Sequence, residues 1–266
     1  LGGSISGGEF NLAIGNYSLD ANTSGDHNVG MGYNALTANT TGSRNLGIGY
    51  GAYDNADTES DNLAIGYDAL GGSIAGGAYN VAIGNYTLDA LTSGVYNIAL
   101  GYTAMSGMQS GGYNIAIGYG ALDVETTGGH NIAIGVDALG GASMSGGYRN
   151  VALGNYSQDA ITSGDENISL GHSSLSGVTS GWGNSAVGSY SLNSLSSGYG
   201  NSAFGYYTGY SLTGNYNTLL GYSADPSTNG GTNQTVIGYN ADGQADNSVT
   251  LGNSDVTAVY MAEDKG

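Results

Sequence analysis

A five-residue unit, asparagine, apolar, small, apolar, glycine, returns fifteen times along this chain in recognisable form. It reads NLAIG over residues 11–15 and again over 62–66, and NIAIG over 114–118 and 131–135. The closing glycines are Gly15, Gly32, Gly49, Gly66, Gly84, Gly101, Gly118, Gly135, Gly154, Gly171, Gly188, Gly205, Gly221, Gly238 and Gly252; ten of the fourteen spacings between them are 17 residues. A short fixed period means one structural unit stacked on itself, so the repeat decides the architecture before any other feature.

Within the unit, the residues one and three before the closing glycine are large and apolar, as Leu12 and Ile14 or Val81 and Ile83. The residue between them is small, as Ala13, Gly30 or Ala82. This period-two alternation marks a strand with two different faces, and the glycine after it permits a tight bend or a positive φ. A second short strand is expected at Tyr33–Leu36, Tyr67–Leu70 and Tyr119–Leu122, followed by a Ser/Thr/Gly turn. A second glycine stands seven residues before the closing one in thirteen of the fifteen units, Glu59 and Ala245 being the exceptions. Nearly all length variation falls between the second strand and this turn glycine, at one corner, which a solenoid tolerates. The expected fold is therefore all-β: a parallel β-solenoid of about fifteen rungs over residues 1–256, roughly 70 Å long at ~4.8 Å per rung, with residues 257–266 beginning a following segment. A larger repeat overlies the small one, since GNYSLD at 15–20, GNYTLD at 84–89 and GNYSQD at 154–159 are 69 and 70 residues apart.

The asparagine column, Asn11, Asn28, Asn45, Asn62, Asn80, Asn97, Asn114, Asn131, Asn150 and Asn167, reads as a structural ladder. Side-chain amides stacked at one position can bond the same amide above and below, and asparagine also tolerates turn conformations. A two-stranded coil is thin, and whichever strand face turns inward leaves the other along the outside of the rod. Long apolar stripes mark interfaces, so a close-packed homotrimer is expected, with end-to-end filaments through the open sheet edges as the alternative.

Composition narrows the function classes. There are 51 glycines and one proline without a three-residue period, so collagen is excluded. The regular register of Ile, Leu and Val argues against disorder. Twenty-one acidic residues stand against three cations, Arg44, Arg149 and Lys265, which cannot neutralise a nucleic-acid backbone or seek an anionic membrane. With no cysteine there is neither a disulfide framework nor a thiolate metal site. No stretch approaches the ~18 apolar residues of a membrane span. Residues 1–8 (LGGSISGG) match 70–77 (LGGSIAGG) inside the array, so the chain is expected to be a segment of a longer polypeptide.

The last unit, NSVTLG at 247–252, and its 14-residue spacing from Gly238, closely resemble the head repeat of YadA-type trimeric autotransporter adhesins. The longer units, such as NIAIGYGAL at 114–122, are similar to repeats in bacteriophage tail-fibre proteins, and SVTLGNSDVTAVY at 248–260 looks like the passage from such an array into a downstream fibre segment. The resemblance covers about residues 5–256. It implies a β-roll wound by three chains and a non-enzymatic, extracellular attachment role: a tail-fibre segment carrying a receptor-binding tip, or a bacterial surface adhesin head. A self-assembling matrix filament is the further alternative.

Residues that carry chemistry are few. His27, His130 and His172 are isolated in separate rungs, and no nucleophile–histidine–acid set is suggested, so no catalytic residues and no organic cofactor are expected. The best metal candidate is a weak calcium site at Asp57, Glu59 and Asp61, whose alternation resembles the start of a calcium loop but lacks its glycine and its later bidentate glutamate. Tyr33, Tyr50 and Tyr67 after the glycine, and Tyr79, Tyr96 and Tyr113 before the asparagine, fall in register. Such rows stack on one another and stiffen a sheet, or offer ring faces to a partner. Tyr79, Tyr96, Tyr113 and Trp182 are accordingly the candidate contacts for a cell-surface glycan or protein receptor.

Overall fold

The computed structural model describes residues 7–141 and 146–259. The match of residues 1–8 to 70–77 lies largely outside the described residues, as does the segment assigned to 257–266 from residue 260 onward.

The chain is a parallel β-solenoid. Each coil contributes one three-residue strand: β1 (Leu12–Ile14), β2 (Val29–Met31), β3 (Leu46–Ile48), β4 (Leu63–Ile65), β5 (Val81–Ile83), β6 (Ile98–Leu100), β7 (Ile115–Ile117), β8 (Ile132–Ile134), β9 (Val151–Leu153), β10 (Ile168–Leu170), β11 (Ser185–Val187), β12 (Ser202–Phe204), β13 (Thr218–Leu220), β14 (Thr235–Ile237) and β15 (Val249–Leu251). They form one fifteen-stranded sheet in strict chain order. Equivalent residues pair across each step, as Ile115 with Ile132, Ala116 with Ala133 and Ile117 with Ile134. Parallel pairing of neighbours in sequence needs a crossover, and here the rest of each coil supplies it.

The expected second strand does not form. Residues 33–36 and their equivalents are a run of turns with left-handed backbone at alternate positions, Asn34 at φ 56° and Leu36 at φ 55°. The reason lies in burial. Ala35 and Leu36 are adjacent, and both are fully buried, whereas successive side chains of a pleated strand face opposite sides. Hydrogen bonding between coils nevertheless continues through this arm, with Asn34 N donating to Asn16 O at 3.0 Å and Leu36 N to Ala52 O at 3.0 Å. A left-handed residue other than glycine costs roughly 1–2 kcal/mol, and these inter-coil bonds help to offset it.

The strand faces are also decided. The small middle residues, including Ala64, Ala82, Ala99, Ala116 and Ala133, point inward and are fully buried. The large aliphatics on either side point outward; Ile117 is 39% exposed and Leu12 47%. The core is a thin seam of these alanines packed on Leu19, Leu36, Leu70, Leu88, Met105, Leu122 and Leu139 from the opposite arm. One or two large side chains per coil, as Leu88 with Leu91 and Met105 with Met108, pack behind the alanine at roughly 1.5–3 kcal/mol of burial each.

The closing glycines explain why the coils sit so close. Gly118 has φ 141°, and a Cβ there would press into the carbonyl of Gly135 in the next coil. The position thus demands glycine twice over, by backbone conformation and by space.

Candidate functional site

The asparagine column is an internal spine. Each Asn Oδ1 accepts the backbone N–H of the asparagine one coil on, as Asn28 N to Asn11 at 2.8 Å, Asn45 N to Asn28 at 2.9 Å, Asn62 N to Asn45 at 3.0 Å and Asn80 N to Asn62 at 2.9 Å. The series runs on through Asn97, Asn114, Asn131, Asn150 and Asn167. The amide-to-amide bonds expected of a ladder occur as a secondary link, as Asn97 Nδ2 to Asn80 Oδ1 at 3.1 Å. The amide nitrogen mainly serves another group: Asn28 Nδ2 donates to Gly42 O at 2.7 Å, and Asn114 Nδ2 to Gly128 O at 3.0 Å. The strand start and the turn glycine are thereby tied together in every such coil.

Along the outer face four columns run side by side. The two central ones are the strand aliphatics. They are flanked by Tyr33, Tyr50, Tyr67, Tyr102 and Tyr119 on one side and by Tyr79, Tyr96 and Tyr113 on the other, all exposed. The rings stack along the rod at coil spacing, Tyr33 on Tyr50 and Tyr50 on Tyr67 at 5.1 Å between centroids, and Tyr79 on Tyr96 at 4.8 Å. His130 continues the second column on Tyr113 at 5.0 Å, and His27 stacks on Phe10 at 4.9 Å. His172 lies edge-on between Tyr156 and Tyr190. The three histidines are therefore members of aromatic rows. The first outward strand position is aliphatic from Leu12 through Ile168, then changes to Ser185, Ser202, Thr218 and Thr235, so the apolar face belongs chiefly to the first ten coils.

The structure does not gather Asp57, Glu59 and Asp61 into a cation cage. Asp61 takes a bidentate bond from Arg44, at 2.6 Å from Nε and 2.7 Å from Nη2, which holds its carboxyl below the usual range. Glu59 turns inward, and its carboxylate accepts N–H groups from Asp57, Thr58 and, at 2.9 Å, Gly76. Asp57 is bonded by the Thr40 hydroxyl. Among the described residues no group of three His, Asp or Glu is placed to hold a metal.

Three polar features were not anticipated from sequence. Glu125 is fully buried, with Oε1 accepting N–H groups from Thr127 at 2.9 Å, Gly128 at 2.7 Å and Gly146 at 3.3 Å. It reaches from a different sequence position the role Glu59 plays near Gly76. Second, Asp54, Asp68 and Asp89 line one hollow at the variable corner. Asp123, Asp137 and Asp159 stand 69, 69 and 70 residues later, the larger repeat seen in sequence. Burial, reinforced by Asp137, pushes Asp123 up to about 6; burial likewise raises Asp54, Asp89 and Asp159. Third, Gln158 replaces the core leucine and Ser169 the core alanine of adjoining coils, and Gln158 Nε2 donates to Ser169 Oγ at 2.8 Å. Only the spacing of the aspartates carried a sequence signal, through the larger repeat.

Trp182 and Tyr148 border a hollow of about 390 Å³ with Arg149, Ser163, Asp165, Glu166 and Ser180. Comparison with protein-family models, curated proteins and solved structures finds no match to this chain.

Proposed function

We propose that this chain is a non-enzymatic structural rod of an extracellular attachment fibre, a phage tail-fibre segment that holds a receptor-binding tip, assembled from three copies. One observation carries the reading: the coil stack turns its large aliphatics outward between two aromatic rows. Over the first ten coils this face measures roughly 20 Å by 50 Å, about 1,000 Å². That exceeds the ~400 Å² an unpartnered surface tolerates and the ~800 Å² per partner of a stable interface. Three such faces turned to a common axis remove the stripe from water. The same geometry would serve a bacterial adhesin head.

The test is the native mass by light scattering, with negative-stain images of the same fraction. Three chains in a rod of finite length are expected; a monomer would overturn the assembly.

A self-assembling filament is the second reading, favoured by the sheet order. A parallel sheet edge left unpaired at either end of the stack templates further strands. Open-ended filaments in the images would make polymerisation the function.

A further inference from the structure

Apart from the two long aromatic rows, a short column one residue further from the strand carries three rings with one gap among them. Six residues before the closing glycine, successive coils carry Tyr148, Asp165, Trp182 and Tyr199. Tyr199 covers one face of the indole, with centroids 5.2 Å apart and an interplanar angle of 1°. The other face of Trp182 looks toward the coil that carries a short carboxylate where a ring would continue the row. Asp165 does not fill the gap, because one of its oxygens is drawn back to accept the Tyr148 N–H at 2.7 Å. Tyr148 leans away as well, its hydroxyl 3.4 Å from Thr127 O and its ring lying over Gly129. The result is a slot of about 390 Å³, within the ~300–1,000 Å³ range of small-molecule sites. Trp182 is 52% exposed and Tyr148 44%.

We propose that this slot binds one neutral hexopyranose residue of a glycan. The uncovered indole face accepts a guest ring stacked about 5 Å from its centre. A pyranose offers an apolar C–H face to the indole and hydroxyl groups to its rim. Asp165 and Glu166 accept hydroxyl hydrogens there, Ser163 and Ser180 exchange them, and Arg149, fixed by Glu166 at 3.1 Å, donates. The two carboxylates, on a chain of net charge −18, turn away uronic acids, sialic acids and nucleotides. The slot lies at the turn corner, beside the aliphatic columns assigned to self-assembly. Its biological role rests on the attachment reading; its chemistry does not.

Trp182 is the sole tryptophan, so its emission reports the slot directly. The 266-residue chain is titrated with methyl glucoside, methyl mannoside, methyl galactoside and N-acetylglucosamine, with glucuronic and sialic acid in parallel, and the same panel is read by retention on immobilised sugars. A saturable shift in emission with at least one neutral hexose, and none with the acids, is expected. Asp165→Asn should weaken binding about tenfold. Asp165→Tyr, which sets a ring against the open indole face, should abolish binding while circular dichroism shows the coil stack still folded. Silence toward every neutral sugar, preference for an acidic one, or full binding by Asp165→Tyr would each overturn the proposal. A monomer that binds hexosides sinks the trimer and leaves the slot standing; a trimer that ignores them does the reverse.

Discussion

Asn97 Oδ1 receives two hydrogens from Asn114, one from the backbone N at 3.1 Å and one from Nδ2 at 3.1 Å. Asn114 in turn accepts the Asn131 N–H on its own Oδ1 at 2.9 Å and donates its amide to Gly128 O at 3.0 Å. One fully buried side chain therefore satisfies groups in both adjoining coils. Asn114→Ala leaves the Asn131 N–H and the Gly128 carbonyl without this partner. At about 1–3 kcal/mol for each buried group left unmade, the expected cost is roughly 2–6 kcal/mol, read from the shift in urea midpoint.

Ala116 and Ile117 are neighbours with opposite fates, since the alanine faces the seam and the isoleucine faces out. Ala116→Leu should destabilise the single coil stack by about 1–3 kcal/mol through overpacking. Ile117→Asp, at an exposed position, should change the melting of an isolated chain by no more than about 0.5 kcal/mol. It should abolish assembly, because the charge then sits within the proposed interface. Thermal melting and light scattering on the same two variants separate the two effects.

Gly118→Ala tests the close approach of the coils. The added methyl collides with the Gly135 carbonyl, in a backbone conformation that L residues rarely adopt. A loss of at least about 2 kcal/mol is expected. It should appear first as faster hydrogen exchange at Gly118 N and Gly135 N, the two amides that bridge coils at this glycine column.

Asp123 is raised to about 6 by burial and by Asp137. A carboxyl whose folded value lies above its unfolded value of 3.8 favours folding most fully below pH 3.8, and that contribution is lost as pH rises through about 6. The melting temperature should therefore fall between pH 4 and pH 7. Asp123→Asn should flatten the curve over this window and melt higher than the parent at pH 7. Asp61, lowered by Arg44, acts in the opposite sense and only below pH 3.8, so the two do not overlap.

The one-dimensional repeat, the strand positions and their parallel stacking were legible because glycine, asparagine and alternating apolar residues each answer to a local rule. The second arm was not, since Tyr33–Leu36 alternates like a strand while its last two residues both turn inward. Which strand face is internal was equally hidden: alternation distinguishes Ala116 from Ile117 but does not say which one the opposite arm can accommodate. The column supplying Leu122 decides it, because a leucine facing an alanine fills a coil of this width. Glu59 and Glu125 share a task from different positions in the repeat, so no alignment of units pairs them. The gap at Asp165 shows only once the rows are stacked in space.

The hydrogen bonds between coils run along the rod, and consecutive coils are joined by those bonds, the asparagine spine, stacked rings, the core seam and a single connecting arm. Under axial tension such a body behaves as a ratcheted spring. Load falls on one inter-coil seam at a time, and each seam that gives way pays out a 17-residue coil, roughly 55 Å of chain in exchange for ~4.8 Å of rod. Each step lengthens the tether more than tenfold locally while the neighbouring coils stay wound. A rod built this way yields along its axis as a staircase of single-coil steps.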